Sequence, residues 1–359
     1  MTDCLPKFAF LSIIMSKIDS YIPLSARINC FIKLGRLLAG LSSEEKTSLA
    51  ARAKYENPWF VESNVLLALS SISEMLNESQ LQSFVNNYSA LENARSPKRV
   101  GLVLAGNIPA VGFHDVLCVL LSGHIALVKF SKDDRVLMQF LVDKIVEIEP
   151  QFKEYIKIVD RLTDIEAVIC TGSDNSARYF ESYFGKYPNI IRKNRTSIAV
   201  LDGTETTEEL HNLGKDIFTY YGLGCRNVSK LFIPKNQDLT KIIDALESFS
   251  YIIEQHKYAN NHTYNKAIYL LNQEEFLDND FAIFKESEEL NSPLSVILVE
   301  RYSNTNDVSE RLELVKEKVQ CVVSKMPEIK NKVAFGEAQK PHLHDFADGV
   351  DTMQFLLGL

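Results

Sequence analysis

Val100-Gly101-Leu102-Val103-Leu104-Ala105-Gly106 is a short, almost wholly apolar run that stops at a glycine. Ile125-Ala126-Leu127-Val128-Lys129-Phe130 repeats the form, as does Ala167-Val168-Ile169-Cys170, which runs into Thr171-Gly172-Ser173. The spacing predicts helices over about 111–121, 134–148 and 175–185, one after each run. Short apolar strands that each end in a loop and lead into a helix describe a parallel sheet. Its ligand crevice lies at the carboxyl ends of the strands. Ser197-Ile198-Ala199-Val200-Leu201 continues the series as a further strand.

Upstream, residues 16 to about 95 read as helical. Apolar residues recur at helical spacing over 22–41, Ser42-Ser43-Glu44-Glu45 opens a second helix with a capping signal, and two more follow over 64–76 and 78–88. Trp59 and Phe60 read as packing anchors. Downstream of about 203 new α/β material begins. It comprises a helix over 208–221, the strand Lys230-Leu231-Phe232-Ile233, a helix over 239–250, strands at 268–271 and 296–299, and a helix over 308–322. Met353-Gln354-Phe355-Leu356-Leu357 reads as a late strand docking elsewhere. The expected organisation is α/β with two α/β domains: a helical region 1–95, a Rossmann-like unit 96–202, a second unit 203–345, and a tail 346–359 that packs back or makes an oligomer contact.

The 359 residues suffice for two such units. A net charge of -8 and the lack of a long basic stripe argue against nucleic acid as a partner. Six cysteines (4, 30, 118, 170, 225 and 321) are scattered and never paired as C-x-x-C, which fits reduced thiols in a cytoplasmic protein and no metal site. No apolar run reaches the roughly 18–20 residues of a membrane span. The apolar stretch 8–15 reads as a first helix or as the product of an early start codon, with Met15 as the alternative beginning.

The candidate for chemistry is Cys225, in Tyr220-Tyr221-Gly222-Leu223-Gly224-Cys225-Arg226-Asn227 just ahead of the strand at 230–233. Glycines on its amino side leave access to the sulfur, and the following strand fixes the turn. Two readings stay open on this ground alone, a covalent nucleophile or a buried structural cysteine. His114-Asp115 could stand near such a site, but a helix-face histidine is more often structural. His342-x-His344 lacks the further ligands of a metal centre.

Gly106-Asn107-Ile108-Pro109, Cys170-Thr171-Gly172-Ser173, Asn194-Arg195-Thr196-Ser197 and Gly222-Leu223-Gly224-Cys225, in this order and spacing, resemble the LuxC-type acyl-CoA reductases of the aldehyde dehydrogenase superfamily. The resemblance covers most of the chain and implies an aldehyde-dehydrogenase-like fold. Cys225 then matches the superfamily nucleophile, and Asn107 the asparagine whose amide, with the Cys225 N–H, stabilises the oxyanion. Gly172 and Ser173 match the turn that approaches the cofactor pyrophosphate at a helix start. Lys129 matches the lysine on the adenosine ribose, and Glu289 resembles the glutamate on the nicotinamide ribose. NAD-preferring relatives often carry a glutamate where this chain has Lys132, with Arg135 nearby. A cation there favours a 2′-phosphate, so the expected cofactor is NADPH, with NADH as the lesser alternative.

The resemblance also marks a departure. Hydrolytic members carry Glu-Leu-Gly-Gly-Lys where this chain has Arg192-Lys193-Asn194-Arg195-Thr196, so the glutamate that would activate water is missing. An acyl-cysteine without a water-activating base is spared for hydride or thiol exchange. The implied activity is reduction of an acyl-CoA to aldehyde. Its alternatives are a CoA-acylating aldehyde dehydrogenase working on a short aldehyde, or a non-catalytic nucleotide-binding protein of the same fold. Arg192, Lys193 and Arg195 could meet a CoA phosphate or form a solvated basic turn. The resemblance further implies homo-oligomers and, as in luminescence systems, an acyl-transferase or synthetase partner.

Overall fold

The computed structural model describes residues 21–93 and 96–359, so the expectations for the stretch at 8–15, Met15 and Cys4 lie outside the described residues. Four helices come first: α1 (Leu24–Ala39), α2 (Ser43–Glu56), α3 (Glu62–Met75) and α4 (Glu78–Asn86). The capping signal is realised at α2. Ser42 Oγ accepts the Glu45 N–H at 3.2 Å, and the Glu45 carboxylate accepts the Ser42 N–H at 2.8 Å. Phe31, Leu34 and Leu38 of α1 and Phe60 are buried in one core with the strands that follow.

The first sheet is built from β1 (Arg99–Val103), α5 (Phe113–Leu121), β2 (Ile125–Lys129), α6 (Arg135–Ile148), α7 (Phe152–Tyr155), β3 (Ile156–Ile158), β4 (Ala167–Thr171), α8 (Asp174–Phe184) and β5 (Asn189–Arg192). Its order is β3-β2-β1-β4-β5 and every pair is parallel. The chain winds outward from β1 to β3, then restarts at β4 on the other side of β1. A crevice therefore opens at the carboxyl ends of β1 and β4, where the loops diverge.

The second sheet takes β6 (Thr196–Val200), α9 (Thr207–Phe218), β7 (Val228–Pro234), α10 (Leu239–Ala245), α11 (His256–Leu271), β8 (Leu277–Asp278), β9 (Ile283–Glu286), β10 (Val296–Tyr302), α12 (Thr305–Val315), β11 (Val319–Val323) and β12 (Lys332–Val333). The order is β12-β11-β6-β7-β10-β9-β8, parallel except at β8–β9. A last helix, α13 (Thr352–Leu357), buries Met353 and Leu356 in the core of the first sheet.

Several expectations change. The strand at 197–201, grouped by sequence with the first unit, pairs instead with β7 and β11 of the second sheet. Residues 268–271 end α11, because Leu270 and Leu271 are exposed on the last turn of a helix that buries Tyr258, His262 and Tyr269. The helix expected over 308–322 stops at Val315, and Val319–Val323 is a strand paired with β6. Residues 353–357 form a helix, capped by Asp351 accepting the Gln354 N–H at 2.8 Å. This helix lies against α5, and in the turn that follows α5 His124 Nε2 is 2.9 Å from the Leu356 carbonyl.

Candidate active site

The two sheets meet with opposite polarity. The first offers the carboxyl ends of its strands, while the second offers Thr196, Val228 and Val296, the first residues of β6, β7 and β10. Between them lies a cleft of about 510 Å³, within the range of small-molecule sites. Asn107 and Gly172 line one wall, Cys225 and Leu223 the other, and Ala347 and Asp348 of the tail a third.

Cys225 is exposed at this cleft, whereas Cys30, Cys118, Cys170 and Cys321 are buried. The structural-cysteine reading does not describe such a position. The turn that presents it is strained. Tyr220, Tyr221 and Gly222 run through three successive left-handed conformations, at φ 53°, 59° and 76°. For the two tyrosines this costs roughly 1–2 kcal/mol each, so the surroundings must hold the turn in place. It also explains why α9 ends at Phe218, short of Tyr221.

The restraint comes from Asn227, only 2% exposed. Its Nδ2 donates toward the carbonyls of Asp216, Ile217 and Thr219 at 3.2, 3.1 and 2.7 Å, and its Oδ1 accepts the Gly224 N–H at 2.8 Å. Ser197 Oγ fixes the other side, donating to the Cys225 carbonyl at 3.0 Å and lying 3.0 Å from Cys321 Sγ. Sequence reading passed over both residues. Gly224-Cys225-x-Asn227 offers a local hint, since an asparagine side chain can close a short turn. Ser197 offers none.

Although it opens on the cleft, the Cys225 sulfur is surrounded by protein. That desolvation raises the thiol pKa, with Arg226 opposing and Asp348 and Cys321 adding to the rise. The neutral thiol is thus the resting form, and attack on a substrate needs a proton acceptor.

Asn107, exposed in the loop after β1, reaches across and donates from Nδ2 to the Leu223 carbonyl at 2.7 Å. Asn107 is thereby tied to the turn that carries Cys225, and both residues line the cleft. Gly172 is on the wall and Ser173 caps α8, its Oγ accepting the Ser176 N–H at 3.3 Å. A Cβ on Gly172 would come within 2.9 Å of Ser176 Cβ and 3.0 Å of Phe180, so only glycine lets the turn lie this close to the helix start. These features suit an anionic dinucleotide over the β1/β4 crevice. Lys129 and Lys132 are exposed at the carboxyl end of β2 and just beyond it, outside the cleft lining.

Glu289 is exposed and is not on the cleft wall; Asn291 to Ile297 are. Its backbone carbonyl accepts from Lys230 Nζ at 2.7 Å. Lys230 is itself buried, ion-paired with Glu300, and donates to the Ser287 carbonyl at 2.9 Å. The basic run is engaged as well. Arg192 is buried against Asp115 at 2.6 Å and donates to Thr352 Oγ1 at 3.0 Å, Lys193 pairs with Glu181 at 2.9 Å, and Arg195 pairs with Asp348 at 3.1 Å. Arg192 is thus a structural cation, which rules out the solvated-turn reading for it. His114 lies 3.0 Å from the Leu343 carbonyl, and burial lowers its pKa, so it is a packed neutral imidazole. The His344 ring packs at a tilt against Phe84, and no group of metal-ligating side chains occurs among the described residues.

The family model for acyl-CoA reductase (LuxC) matches residues 59–336. No curated protein sequence matches the chain. Solved structures that resemble it are aldehyde dehydrogenases. One from Mycobacterium tuberculosis, complexed with NAD+, has a TM-score of 0.63 at 12% identity, over 86% of this chain and 74% of that one. The NAD+ complex of a Bacillus cereus aldehyde dehydrogenase gives 0.62 at 13%, over 88% and 75%. A 1-pyrroline-5-carboxylate dehydrogenase from Thermus thermophilus gives 0.61 at 12%, over 94% and 80%. At such identities the likeness is one of fold, and the fold is aldehyde-dehydrogenase-like. No helix among the described residues is long and apolar enough to cross a membrane.

Proposed function

The chain belongs to the acyl-CoA reductase (LuxC) family, an oxidoreductase family of aldehyde-level chemistry, and we propose that it reduces a fatty acyl-CoA to the aldehyde through an acyl group carried on Cys225. In this reading Cys225 sulfur attacks the thioester carbonyl and CoA leaves as the thiol. NADPH, which Gly172, Ser173, Lys129 and Lys132 would hold, would supply the hydride for the acyl carbon; the thiohemiacetal then left on Cys225 would collapse to aldehyde and free thiol. Asn107 and the Cys225 N–H stabilise the oxygen that carries charge in both steps. The first sheet with its helices acts as the cofactor-binding domain and the second as the catalytic domain.

One observation carries the reading: an accessible cysteine on a strained, clamped turn, tied to Asn107 across a cleft that two sheets build together. Strain held in place at a cleft is characteristic of reacting groups. The run 192–196 adds to this, because it brings no carboxylate to the position where hydrolytic relatives activate water. Gly172, Ser173, Lys129 and Lys132 are the residues that would hold the dinucleotide, with Lys132 near its 2′-phosphate. Glu289 stays the candidate for the nicotinamide ribose. The proposed setting is the cytoplasm, with homo-oligomers and an acyl-transferase or synthetase partner as associations.

The test is NADPH oxidation with acyl-CoAs of graded chain length, beside Cys225→Ala. Turnover that requires acyl-CoA and vanishes in the variant supports the reading, and the best chain length names the substrate. NADPH binding without turnover on any CoA ester overturns the choice of acyl donor. Loss of both binding and turnover in the wild type overturns the enzyme.

A further inference from the structure

We propose that the hydroxyls of Tyr258 and Ser295 form a subsite, beside the turn that carries Cys225, for an uncharged hydrogen-bonding group of the ligand. The group is an amide or a hydroxyl, from the pantetheine arm of CoA or from the nicotinamide-ribose end of the nucleotide. The proposal rests on the reductase reading and deepens it.

Both side chains line the cleft and both are more than nine-tenths buried. Tyr258, in the first turn of α11, is 1% exposed, and Ser295, just ahead of β10, is 8% exposed. Neither hydroxyl has a hydrogen-bond partner among the described residues. Burial alone raises the Tyr258 pKa, so the phenol stays protonated and able to donate. Ser295 is moreover held at φ 69°, left-handed for a residue other than glycine. A hydroxyl buried without a partner is costly, and two on one cleft wall are accounted for if a ligand completes them.

The elements that carry them are joined to each other and to the turn of the nucleophile. Asn265 lies seven residues, two turns, along α11 from Tyr258. It donates from Nδ2 to the Leu294 carbonyl at 2.8 Å, which fixes the loop one residue before Ser295. The Tyr258 ring is 6.1 Å from that of Tyr221, and Leu294 Cδ1 stands 3.5 Å from where a Cβ on Gly222 would be. The subsite therefore adjoins the strained turn at 220–222.

Charge decides the class of ligand. Among the described residues six charged side chains line the cleft: Asp115, Asp174, Arg192, Lys193, Arg195 and Asp348. All come from elements of the first sheet, the peptide leaving β5 or the tail. The stretch from Asn291 to Ile297 and the Tyr258 end of α11 bring none to the wall. A phosphate or carboxylate would find no counter-charge there, and a bare alkyl chain would leave both hydroxyls unpaired. A neutral amide or hydroxyl satisfies them.

Tyr258→Phe and Ser295→Ala each delete a hydroxyl with little change of shape. The readouts are NADPH affinity by nucleotide fluorescence, CoA affinity by calorimetry, and the urea midpoint of the ligand-free protein. Each variant is expected to lose about 3- to 10-fold in affinity, with the midpoint held or raised. A loss for CoA alone identifies the pantetheine arm, a loss for NADPH alone the nicotinamide-ribose end, and a loss for both means that the two use the subsite in turn. Adenosine 2′,5′-bisphosphate, which has neither group, should bind wild type and variants alike. Unchanged affinities for NADPH and CoA overturn the proposal and leave the reductase reading standing. Equal losses for all three ligands with a lower midpoint mark general loosening and overturn it too. A wild type that binds neither NADPH nor CoA defeats the reductase reading, and this proposal with it.

Discussion

Asn107 of the first sheet's β1 loop and Leu223 of the second sheet's cysteine turn are joined by one hydrogen bond of 2.7 Å, from side-chain amide to backbone carbonyl. This bond uses one of the two amide hydrogens and fixes the plane of the other. The free N–H is then a preset donor beside the turn that carries Cys225. In Asn107→Ala, acyl-enzyme formation should slow by roughly 10²–10³-fold, the usual worth of an oxyanion donor. Because the side chain is exposed, urea stability should drop by only about 1 kcal/mol. Single-turnover acylation and a denaturation curve on the same preparation check both halves.

Asn227 is expected to behave differently. Its loss leaves the buried carbonyls of Asp216 and Ile217, the half-buried one of Thr219 and the Gly224 N–H without their side-chain partner, beside two tyrosines in left-handed conformations. Asn227→Ala should cost about 2–4 kcal/mol and slow Cys225 alkylation and acylation alike. A stable variant with native alkylation would show that the turn holds itself.

Asp134 provides a pH test. It is 2% exposed at the head of α6, and burial pushes its pKa up to about 8, opposed by the backbone N–H of Ala110. The sign follows from the folded pKa exceeding the unfolded one. The folded state holds the proton where the unfolded chain has released it, so stability falls as pH rises from about 4 to about 8 and is level above. Between pH 5 and 8.5 the wild type should lose roughly 2–4 kcal/mol through this group, while Asp134→Asn, which cannot ionise, should lack that slope. Urea midpoints at the two pH values decide it. Equal slopes would mean that Asp134 finds a partner on ionising.

Lys132 governs the proposed cofactor choice. Lys132→Glu should reduce NADPH affinity by roughly 10- to 100-fold, the equivalent of a charge-assisted bond of about 1.5–3 kcal/mol, with NADH affinity held or raised. Nucleotide fluorescence titration reads this without turnover. Equal losses for both nucleotides would remove the 2′-phosphate from this position.

The parts of the fold legible in the sequence were those written in contiguous residues. β1, β2 and β4 are nearly unbroken apolar runs because helices cover both faces of a parallel sheet, and Ser42-x-x-Glu45 announces α2 within four residues. Pairing is a non-local choice. Nothing inside Ser197–Leu201 says that it joins β7 and β11, although β5 comes just before it in the chain. Residues 268–271 and 353–357 are apolar stretches too short to separate strand from helix by period, and for the second the Asp351 cap was the unused signal. At the site, Cys225 stood out because glycines mark special backbone, while Asn107 and Gly172 entered through the family resemblance. Asn227 and Ser197 did not, since their roles arise from partners that are remote or turned back on the chain.

The tail has a mechanical consequence. Asp216 on α9 accepts the N–H groups of Gly336 and Ala338 at 2.7 and 2.9 Å. The chain then passes the cleft at Asp348, and Asp351 accepts from Tyr88 Oη at 2.9 Å before α13 settles on α5. The chain thus crosses between the two halves twice, in the peptide leading from β5 to β6 and in this returning belt, and the Asn107–Leu223 bond bridges them again. A door hung on both jambs does not swing. Rotating the halves apart would strain both crossings at once, which favours ligand traffic through adjustments of the loops at the mouth. Cutting the belt near residue 345 would be the way to set the halves moving.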